Sequence, residues 1–268
     1  MAENLGSLLR ESLLINSQKQ ALSGRVDKMT REALFSKAQL IAGQLRAHGA
    51  QPNEPIHVMV SNQPSDITAL LGVWLADGVI VPISRASPKD VALKIQKKTN
   101  ARFSIDYQAL SEEPKIMNLS LGKVSELVIL KDAAFIIFTS GSTGEPKGVV
   151  VSHQAFIAKL YEIDKLLAFN DQDCLLLVLN INFVFGLWLA ILTLFKGGVV
   201  DLHEKFNAEE FIHGLAENKI TRVGVVPTMM RVIFSKPELV AQIEEKINTG
   251  YLKQILIGGE SLGISLAM

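Results

Sequence analysis

The stretch TSGSTGEPKG at residues 139–148 contains the residue types that bind anions, and it separates two apolar runs. Hydroxyl groups and backbone N–H groups on a loop with little steric bulk can surround a phosphate. Lys147 follows where a flexible ammonium group could reach a terminal phosphate. The small residues of this candidate phosphate loop are Thr139, Ser140, Gly141, Ser142, Thr143 and Gly144.

Pro146 distinguishes between two classes of phosphate loop. Its ring fixes φ and biases Glu145 towards an extended backbone, so the chain is directed into a strand and not a helix. The nucleotide loop of kinases and GTPases reads GxxxxGK followed by Ser or Thr, and its lysine begins a helix. Here the glycine spacing differs, and Gly148 and a valine run follow the lysine. A kinase-type loop is disfavoured, whereas an exposed serine–glycine hairpin without a ligand stays open.

The loop resembles the phosphate loop of the adenylate-forming superfamily, in the residues FTSGSTGEPKGVVVSH. This superfamily contains acyl- and aryl-CoA synthetases, the adenylation domains of peptide synthetases, and beetle luciferases. Residues 31–84 resemble the opening of these enzymes in order and spacing, and RVGVVPTMMRVI and ILIGGESL resemble two later segments. The resemblance covers nearly the whole chain and is strongest at 31–84 and 135–153.

The resemblance implies an enzyme that uses ATP and Mg²⁺ to join a carboxylic acid to AMP, and then transfers the acyl group to a thiol. The loop from Thr139 to Lys147 would bind the β- and γ-phosphates, with Thr143 near the metal and Lys147 on the departing phosphates. Fixed donors are suited to this task, because charge builds on pyrophosphate as it leaves. His153 matches a family histidine, for which we favour a structural role at a helix start over proton transfer.

The resemblance also implies an acyl pocket in which Phe183 corresponds to a family histidine or aromatic residue. In domains that activate amino acids an aspartate follows this position, whereas here Val184 follows. An ammonium group without a carboxylate partner would be costly to desolvate, which favours an acyl or aryl acid. Alternatively, Phe183 and Phe185 belong to the core. The other pocket residues would be Gly186, Pro227 and Thr228, with Gly258, Gly259 and Glu260 in a turn beside the acyl and adenine sites.

Three functions follow from the resemblance and stay open. We favour the N-terminal part of an acid:CoA ligase, with CoA as the acceptor thiol. The second is an adenylation domain that loads the phosphopantetheine arm of a carrier protein, and the third is a short non-catalytic protein that binds a nucleotide or a partner. The family segments that hold adenine, ribose and magnesium, and the small domain with the catalytic lysine, would lie beyond Met268. We therefore expect the chain alone to adenylate poorly or not at all.

These sites require a scaffold of alternating strands and helices. The pattern predicts an α/β fold of mostly parallel sheets flanked by helices in repeated βαβ units, and the resemblance specifies an acetyl-CoA-synthetase-like N-terminal domain. We expect a first subdomain at 1–173, including the phosphate loop, and an incomplete second subdomain at 174–268 on the acyl-pocket side. Predicted strands cover 55–61, 79–84, 101–106, 133–140, 148–152, 174–179, 198–202, 221–226 and 253–257. Predicted helices cover 31–48, 66–78, 88–100, 153–169, 183–195, 207–217 and 228–235, and 110–132 is predicted as an exposed loop.

Composition excludes several classes of function. The 268 residues include 27 Lys and Arg and 27 Asp and Glu, so the net charge is zero, which argues against a nucleic acid as partner. The single cysteine, Cys174, cannot form an internal disulfide, and a reducing cytoplasm fits best. The first residues do not form a signal peptide, and the leucine spacing from Leu5 to Leu13 predicts a helix.

Residues 174–195 carry no charge and are long enough to span a membrane. Asn180, Asn182 and Gly186 interrupt this run, so we predict a buried strand, a turn and a buried helix in series. No membrane span is expected, and peripheral association with a membrane stays open.

Overall fold

Strands and helices alternate along the chain in a computed structural model that describes residues 4–25, 27–107, 115–119, 128–140, 145–217, 219–248 and 251–259. The strands are β1 (Gln20–Gly24), β2 (Lys28–Thr30), β3 (Pro55–Val60), β4 (Val79–Ser84), β5 (Phe103–Asp106), β6 (Lys115–Asn118), β7 (Ala133–Ser140), β8 (Pro146–Ser152), β9 (Cys174–Leu177), β10 (Val199–Leu202), β11 (Arg222–Val225) and β12 (Gln254–Ile257). The helices are α1 (Leu5–Leu14), α2 (Arg31–Ala47), α3 (Pro64–Leu75), α4 (Lys89–Thr99), α5 (His153–Leu167), α6 (Val184–Phe195), α7 (Ala208–Glu217), α8 (Pro227–Phe234) and α9 (Pro237–Asn248).

The strands form two six-stranded sheets. In the first, ordered β6-β5-β3-β4-β7-β8, the four central strands are parallel, and β6 and β8 are antiparallel to their neighbours. In the second, ordered β12-β11-β9-β10-β1-β2, all strands are parallel except β2. The predicted α/β fold of mostly parallel sheets flanked by helices is confirmed.

The second sheet cuts across the predicted division of the chain at residue 173. β1 lies beside β10, with Leu22 paired to Val200, and β2 pairs with β1 at the edge of the same sheet. The N-terminal segment therefore contributes two strands to the sheet that was expected from 174–268 alone. For the elements other than β1 and β2, the two subdomains predicted at 1–173 and 174–268 stay a proposal.

Polar side chains begin several helices as the sequence predicts. The Thr30 side chain accepts a hydrogen bond from Ala33 N at the start of α2, and Ser152 does the same for Ala155 N at the start of α5. Gly49, with φ of 84°, follows α2 in the left-handed region that glycine adopts without strain. Sequence reasoning missed β1, β2 and α9, and the loop predicted at 110–132 contains β6 because this short segment pairs with β5.

Helices α3 and α6 are mostly buried. α3 contacts β3 and β4 of the first sheet and β1 of the second, and α6 packs against β9, β10 and α1. This position explains the apolar run at 174–195, which forms β9, a turn and the buried helix α6, as predicted. Among the described residues, no helix is both long enough and apolar enough to cross a membrane. The leucines that predict α1 are all buried between these helices: Leu5, Leu8, Leu9 and Leu13.

Candidate functional site

The candidate phosphate loop lies at the tip of the β7–β8 hairpin. The two strands are paired from Ala133 opposite Ser152 to Ser140 opposite Pro146. Pro146 is the first residue of β8, so the prediction that it directs the chain into a strand is confirmed. Thr139 and Lys147 are both exposed and lie opposite each other on the two arms. The remaining predicted residues, Gly141, Ser142, Thr143 and Gly144, lie outside the described residues, as does the side chain of Ser140.

Two lysines of α4 hold the second arm of the hairpin. Lys94 and Lys98 form ion pairs with Glu145 at 3.3 Å and 3.6 Å, and Lys98 also donates to the carbonyl oxygen of Pro146 at 2.8 Å. The hydrogen bond from Lys94 is the largest cause that lowers the pKa of Glu145 below its usual value. Sequence reasoning missed these lysines, although their i,i+4 spacing places them on one face of α4.

His153 connects the hairpin to the N-terminal helix. Its Nδ1 atom accepts a hydrogen bond from Leu5 N at 3.1 Å, and its ring lies edge-on to Trp74 at 6.3 Å between centroids. Burial lowers the pKa of this imidazole, which favours the neutral form that can accept this bond. These contacts agree with a structural role for His153 at the start of α5.

The predicted acyl-pocket residues lie where parallel strands of the second sheet end. β9, β11 and β12 are neighbours in this sheet, and ligands of α/β proteins bind beyond the carboxyl ends of such strands. Phe183 and Val184, at the start of α6, are 56% and 43% exposed. At the start of α8, Pro227 is buried and Thr228 is exposed. The structure therefore brings these two helix starts to one edge of the sheet.

The glycine turn after β12 lies beside the start of α6. A Cβ atom on Gly258 would lie 3.0 Å from the Phe185 ring, and Gly259, with φ of 91°, approaches Val226. Phe185 stacks on Trp188 with 5.6 Å between ring centroids and is partly buried. The alternative that both phenylalanines are core thus fails for the exposed Phe183. Glu260 lies outside the described residues.

Gly186 allows α6 to begin directly against the preceding turn. A Cβ atom at this position would lie 2.8 Å from the carbonyl oxygen of Asn180 and 2.9 Å from that of Leu179. These are fixed backbone atoms, so a larger residue would displace the helix start. The predicted pocket residue Gly186 therefore shapes the turn that carries Phe183.

Asn62 joins the two sheets at this end of the molecule, and sequence reasoning missed it. It follows β3, and its amide nitrogen donates to the carbonyl oxygens of Leu179 at 2.8 Å and His203 at 3.1 Å. Its Oδ1 atom accepts from Ile181 N at 3.0 Å. The only local signal is the sequence SNQP between a strand and a helix, which is typical of a turn.

Asp66 fixes the backbone on both sides of Asn62. Its Oδ2 atom accepts from Ser61 N at 2.7 Å and from Gln63 N at 2.9 Å. Arg85 lies between two carboxylates, 3.7 Å from Asp66 and 3.0 Å from Asp106. Burial raises the pKa of Asp66 from 3.8 to about 6, against the opposing effect of these hydrogen bonds and of Arg85.

The described part of the hairpin carries two side chains of the kinds that bind phosphate. Among the described residues, no group of three or more His, Cys, Asp or Glu could hold a metal ion. The Thr139 hydroxyl and the Lys147 ammonium can donate hydrogen bonds to the oxygens of a nucleotide phosphate, and Lys147 can balance its charge. Cys174 does not supply a reactive thiolate, because burial raises its pKa to about 12.

Two curated relatives are long synthases from bacilli. Tyrocidine synthase 3 of Brevibacillus parabrevis is 25% identical over 249 residues, which cover 87% of this chain and 4% of that protein. Bacitracin synthase 3 of Bacillus licheniformis is 26% identical over 253 residues, which cover 90% of this chain and 4% of that protein. The chain thus spans a small part of the length of either relative.

Solved structures have the same fold. The N-terminal domain of FACL13 from Mycobacterium tuberculosis aligns with a TM-score of 0.82 and 20% identity, over 98% of this chain and 72% of that chain. VinN aligns with a TM-score of 0.81 and 18% identity, over 99% and 70% of the two chains. The NpsA N-terminal subdomain of Klebsiella oxytoca, in complex with 3-hydroxybenzoyl-AMSN, aligns with a TM-score of 0.78 and 18% identity, over 99% and 68%.

The family relationship that the phosphate loop predicts is confirmed along almost the full sequence. The model of the family described as AMP-binding enzyme matches residues 9–268. This chain belongs to the AMP-binding enzyme family, within the adenylate-forming superfamily.

Proposed function

We propose that this chain is part of an enzyme that activates a carboxylic acid as its acyl adenylate. The observation that carries the proposal is the β7–β8 hairpin, which places Thr139 opposite Lys147 beside a loop rich in hydroxyl groups and glycine. Membership of the AMP-binding enzyme family supports ATP as the ligand of this hairpin. The acid would bind where the parallel strands of the second sheet end, between the starts of α6 and α8 and the turn after β12.

In the proposed reaction a carboxylate oxygen of the acid attacks the α-phosphorus of ATP, the bond to pyrophosphate breaks, and acyl-AMP and pyrophosphate form. The acid is itself the nucleophile, so the protein's role is to orient the reactants and to stabilise charge. Lys147 and the loop hydroxyl groups would stabilise the negative charge that accumulates on the departing pyrophosphate. Mg²⁺, held near Thr143, would neutralise further phosphate charge.

We propose an acyl or aryl acid as the substrate. Val184 follows the exposed Phe183 at the start of α6, at the position where amino-acid-activating domains carry an aspartate. An α-ammonium group would therefore lack a carboxylate partner from this position, and its desolvation would oppose binding. Phe183, which is 56% exposed, offers apolar surface for the acid side chain.

We propose a phosphopantetheine thiol as the acceptor of the acyl group. This thiol occurs both in CoA and on the arm of a carrier protein. The synthases among the relatives support the carrier protein, whereas the missing carboxylate after Phe183 supports an acid:CoA ligase. Both sources offer the same sulfur nucleophile to the acyl adenylate.

Acid-dependent exchange of pyrophosphate into ATP tests the adenylation step. We would assay the complete gene product and the 268-residue chain against fatty, aromatic and amino acids. We expect exchange by the complete gene product with fatty or aromatic acids, and little or none by the chain alone. Exchange restricted to α-amino acids would overturn the proposed substrate class, and ATP binding without any exchange would support the non-catalytic alternative.

A second assay distinguishes the acceptors. The complete gene product is incubated with ATP, the best acid and either CoA or a phosphopantetheine-loaded carrier protein, and thioesters are detected by mass spectrometry. Thioester on CoA alone would support a ligase of acyl-CoA type, and thioester on the carrier alone would support an adenylation domain. Exchange without thioester on either acceptor would contradict the proposed thiol.

A further inference from the structure

We propose that Asn62 is a positioning residue for the acid site, because its side chain holds the turn that carries Phe183. This inference rests on the function proposed above and assigns a specific task to a residue of the other sheet. Asn62 is 1% exposed, and all three of its described side-chain hydrogen bonds reach segments that follow β9 and β10. The loop after β3 thereby grips the second sheet.

The conformation of Asn62 explains why this residue type is present. Its φ is 61°, in the left-handed region that asparagine and glycine tolerate better than other residues. Glycine would fit this backbone but has no amide, and alanine would lack the amide and strain the backbone. Asparagine alone combines the conformation with two donors and an acceptor.

The loop around Asn62 is rigid enough to act as an anchor. The Asp66 carboxylate binds the N–H groups of Ser61 and Gln63, which are the two neighbours of Asn62. Pro64 then begins α3, most of whose residues are buried and which contacts strands of both sheets. The amide of Asn62 is therefore presented from a fixed backbone.

The turn at 179–183, which Asn62 holds by hydrogen bonds, leads directly to the proposed acid site. Asn62 binds the backbone at Leu179 and Ile181, and Phe183 N donates to the Asn180 carbonyl oxygen at 3.1 Å within the same turn. Asn180 also accepts from Asn182 N at 3.1 Å through its side chain. Because these bonds close a short turn, a backbone shift at 179–181 would move Phe183. The expected consequence is weaker binding of the acid.

The phosphate hairpin provides an internal reference. β7 and β8 belong to the first sheet, whereas the described side-chain bonds of Asn62 go to the second. Loss of the amide should therefore raise the KM of the acid and leave the KM of ATP nearly unchanged. A general loss of stability would not raise the KM of the acid alone.

The test compares Asn62→Gly and Asn62→Ala with a matched pair of controls. Asn53 has the same φ of 61° but is exposed, in the turn before β3, and its Oδ1 atom accepts from Asp132 N at 3.3 Å. Asn53→Gly and Asn53→Ala therefore change the same backbone preference and remove an amide hydrogen bond that does not reach the acid turn. Loss of the buried amide removes hydrogen bonds that each contribute modestly to binding-site geometry. We expect the acid KM to rise about tenfold in both Asn62 variants and less than about twofold in both Asn53 variants.

Hydrogen exchange at the Ile181 amide reports on the grip without requiring activity. We expect exchange at this amide to accelerate about tenfold in Asn62→Gly of the 268-residue chain, because its acceptor is removed. Unchanged exchange at Ile181, or equal rises in the KM values of acid and ATP, would overturn the proposal. If none of the tested acids supports pyrophosphate exchange by the wild-type gene product, the proposed function fails. Hydrogen exchange at the Ile181 amide would still show whether Asn62 holds the turn.

Discussion

Thr139 and Lys147 occupy opposite positions in the antiparallel pairing of β7 and β8. Opposite residues of an antiparallel pair project from the same face of the sheet, so the hydroxyl and ammonium groups lie on one face of the hairpin. The neighbouring pair, Phe138 and Gly148, belongs to the other face, where Phe138 packs against the core. This register aims one polar pair at the proposed phosphate site.

Replacement of Lys147 tests this register. We expect Lys147→Ala to lower the pyrophosphate-exchange rate of the complete gene product about a hundredfold, because a charged donor to the leaving group is lost. Lys159→Ala is the matched control, since Lys159 is an exposed lysine on the following helix, α5. Equal rates in the two variants would contradict a role for Lys147 on the phosphates.

Gly186→Ala should destabilise the chain and impair the acid site together. The added methyl group would lie 2.8 Å from the Asn180 carbonyl oxygen, so α6 must shift, at a cost of about 1–3 kcal/mol in the free energy of unfolding. Gly43→Ala is the matched control, because a Cβ atom on Gly43 of α2 would meet nothing within 4 Å. That variant should gain about 0.5–1 kcal/mol from helix propensity. Urea unfolding of both variants measures the contrast, and an unaltered stability of Gly186→Ala would show that the turn relaxes freely.

The fold was predictable where the signal is local. Thr30 and Ser152 cap helices through N–H groups three residues away, so a short window of sequence contains the relevant information. β1 was missed because its strand character depends on pairing with β10, and Leu22 meets Val200 far along the chain. Such pairing carries no local periodicity that sequence reasoning could use.

In the candidate site, too, local motifs were predictable from the sequence and contacts between distant residues were not. The loop residues and Lys147 form one contiguous motif, whereas Asn62 acquires its task only when folding brings it to Ile181, 119 residues away. Lys98 likewise meets Pro146 across 48 residues. Motif reasoning therefore finds residues that would touch the ligand and misses those that hold the ligand-binding segments in place.

The buried carboxyl group of Asp66 should make stability depend on pH. Its folded-state pKa is raised from 3.8 to about 6, so its contribution to stability is fully present below pH 3.8 and is lost as pH rises through about 6. The groups that surround it are Arg85, Asp106 and Tyr107. Relative to Asp66→Asn, which cannot ionise, the wild-type chain should lose about 2 kcal/mol between about pH 4 and about pH 7.5.

Urea unfolding of wild type and Asp66→Asn across this pH range measures the difference directly. Other carboxyl groups titrate in both proteins, so their effects cancel when the free energies are subtracted. A difference that stays constant with pH would mean that Asp66 titrates alike in the folded and unfolded chains. If the wild-type chain instead gains stability relative to Asp66→Asn as pH rises, Arg85 and the two backbone donors outweigh burial and lower the pKa of Asp66.

Loss of the ion pair between Arg102 and Glu54 should lower the free energy of unfolding more than loss of an exposed ion pair. Arg102 Nε lies 2.5 Å from Glu54 Oε1 and its Nη2 lies 2.7 Å from Oε2, and Glu54 is 1% exposed. Arg102→Ala removes the counter-charge of this buried carboxylate and leaves it the Gln51 N–H, a donor at 2.9 Å, which should cost about 3–5 kcal/mol. The matched control is Arg46→Ala, because Arg46 pairs with Asp77 at 3.7 Å with both side chains about half exposed, and its loss should cost less than about 1 kcal/mol.

A double variant separates loss of charge balance from loss of packing. Glu54→Gln in the Arg102→Ala background removes the unpaired charge, so part of the stability lost in Arg102→Ala should return because a neutral amide is less costly to bury. Urea unfolding at neutral pH gives the free energies of all four proteins. If Arg102→Ala costs no more than Arg46→Ala, water reaches the Glu54 carboxylate in the variant. If the double variant regains nothing, Arg102 stabilises the fold through its packing over the Phe103 ring, 4.9 Å from the ring centroid, and its 2.9 Å hydrogen bond to the Gly49 carbonyl oxygen, and not by balancing the Glu54 charge.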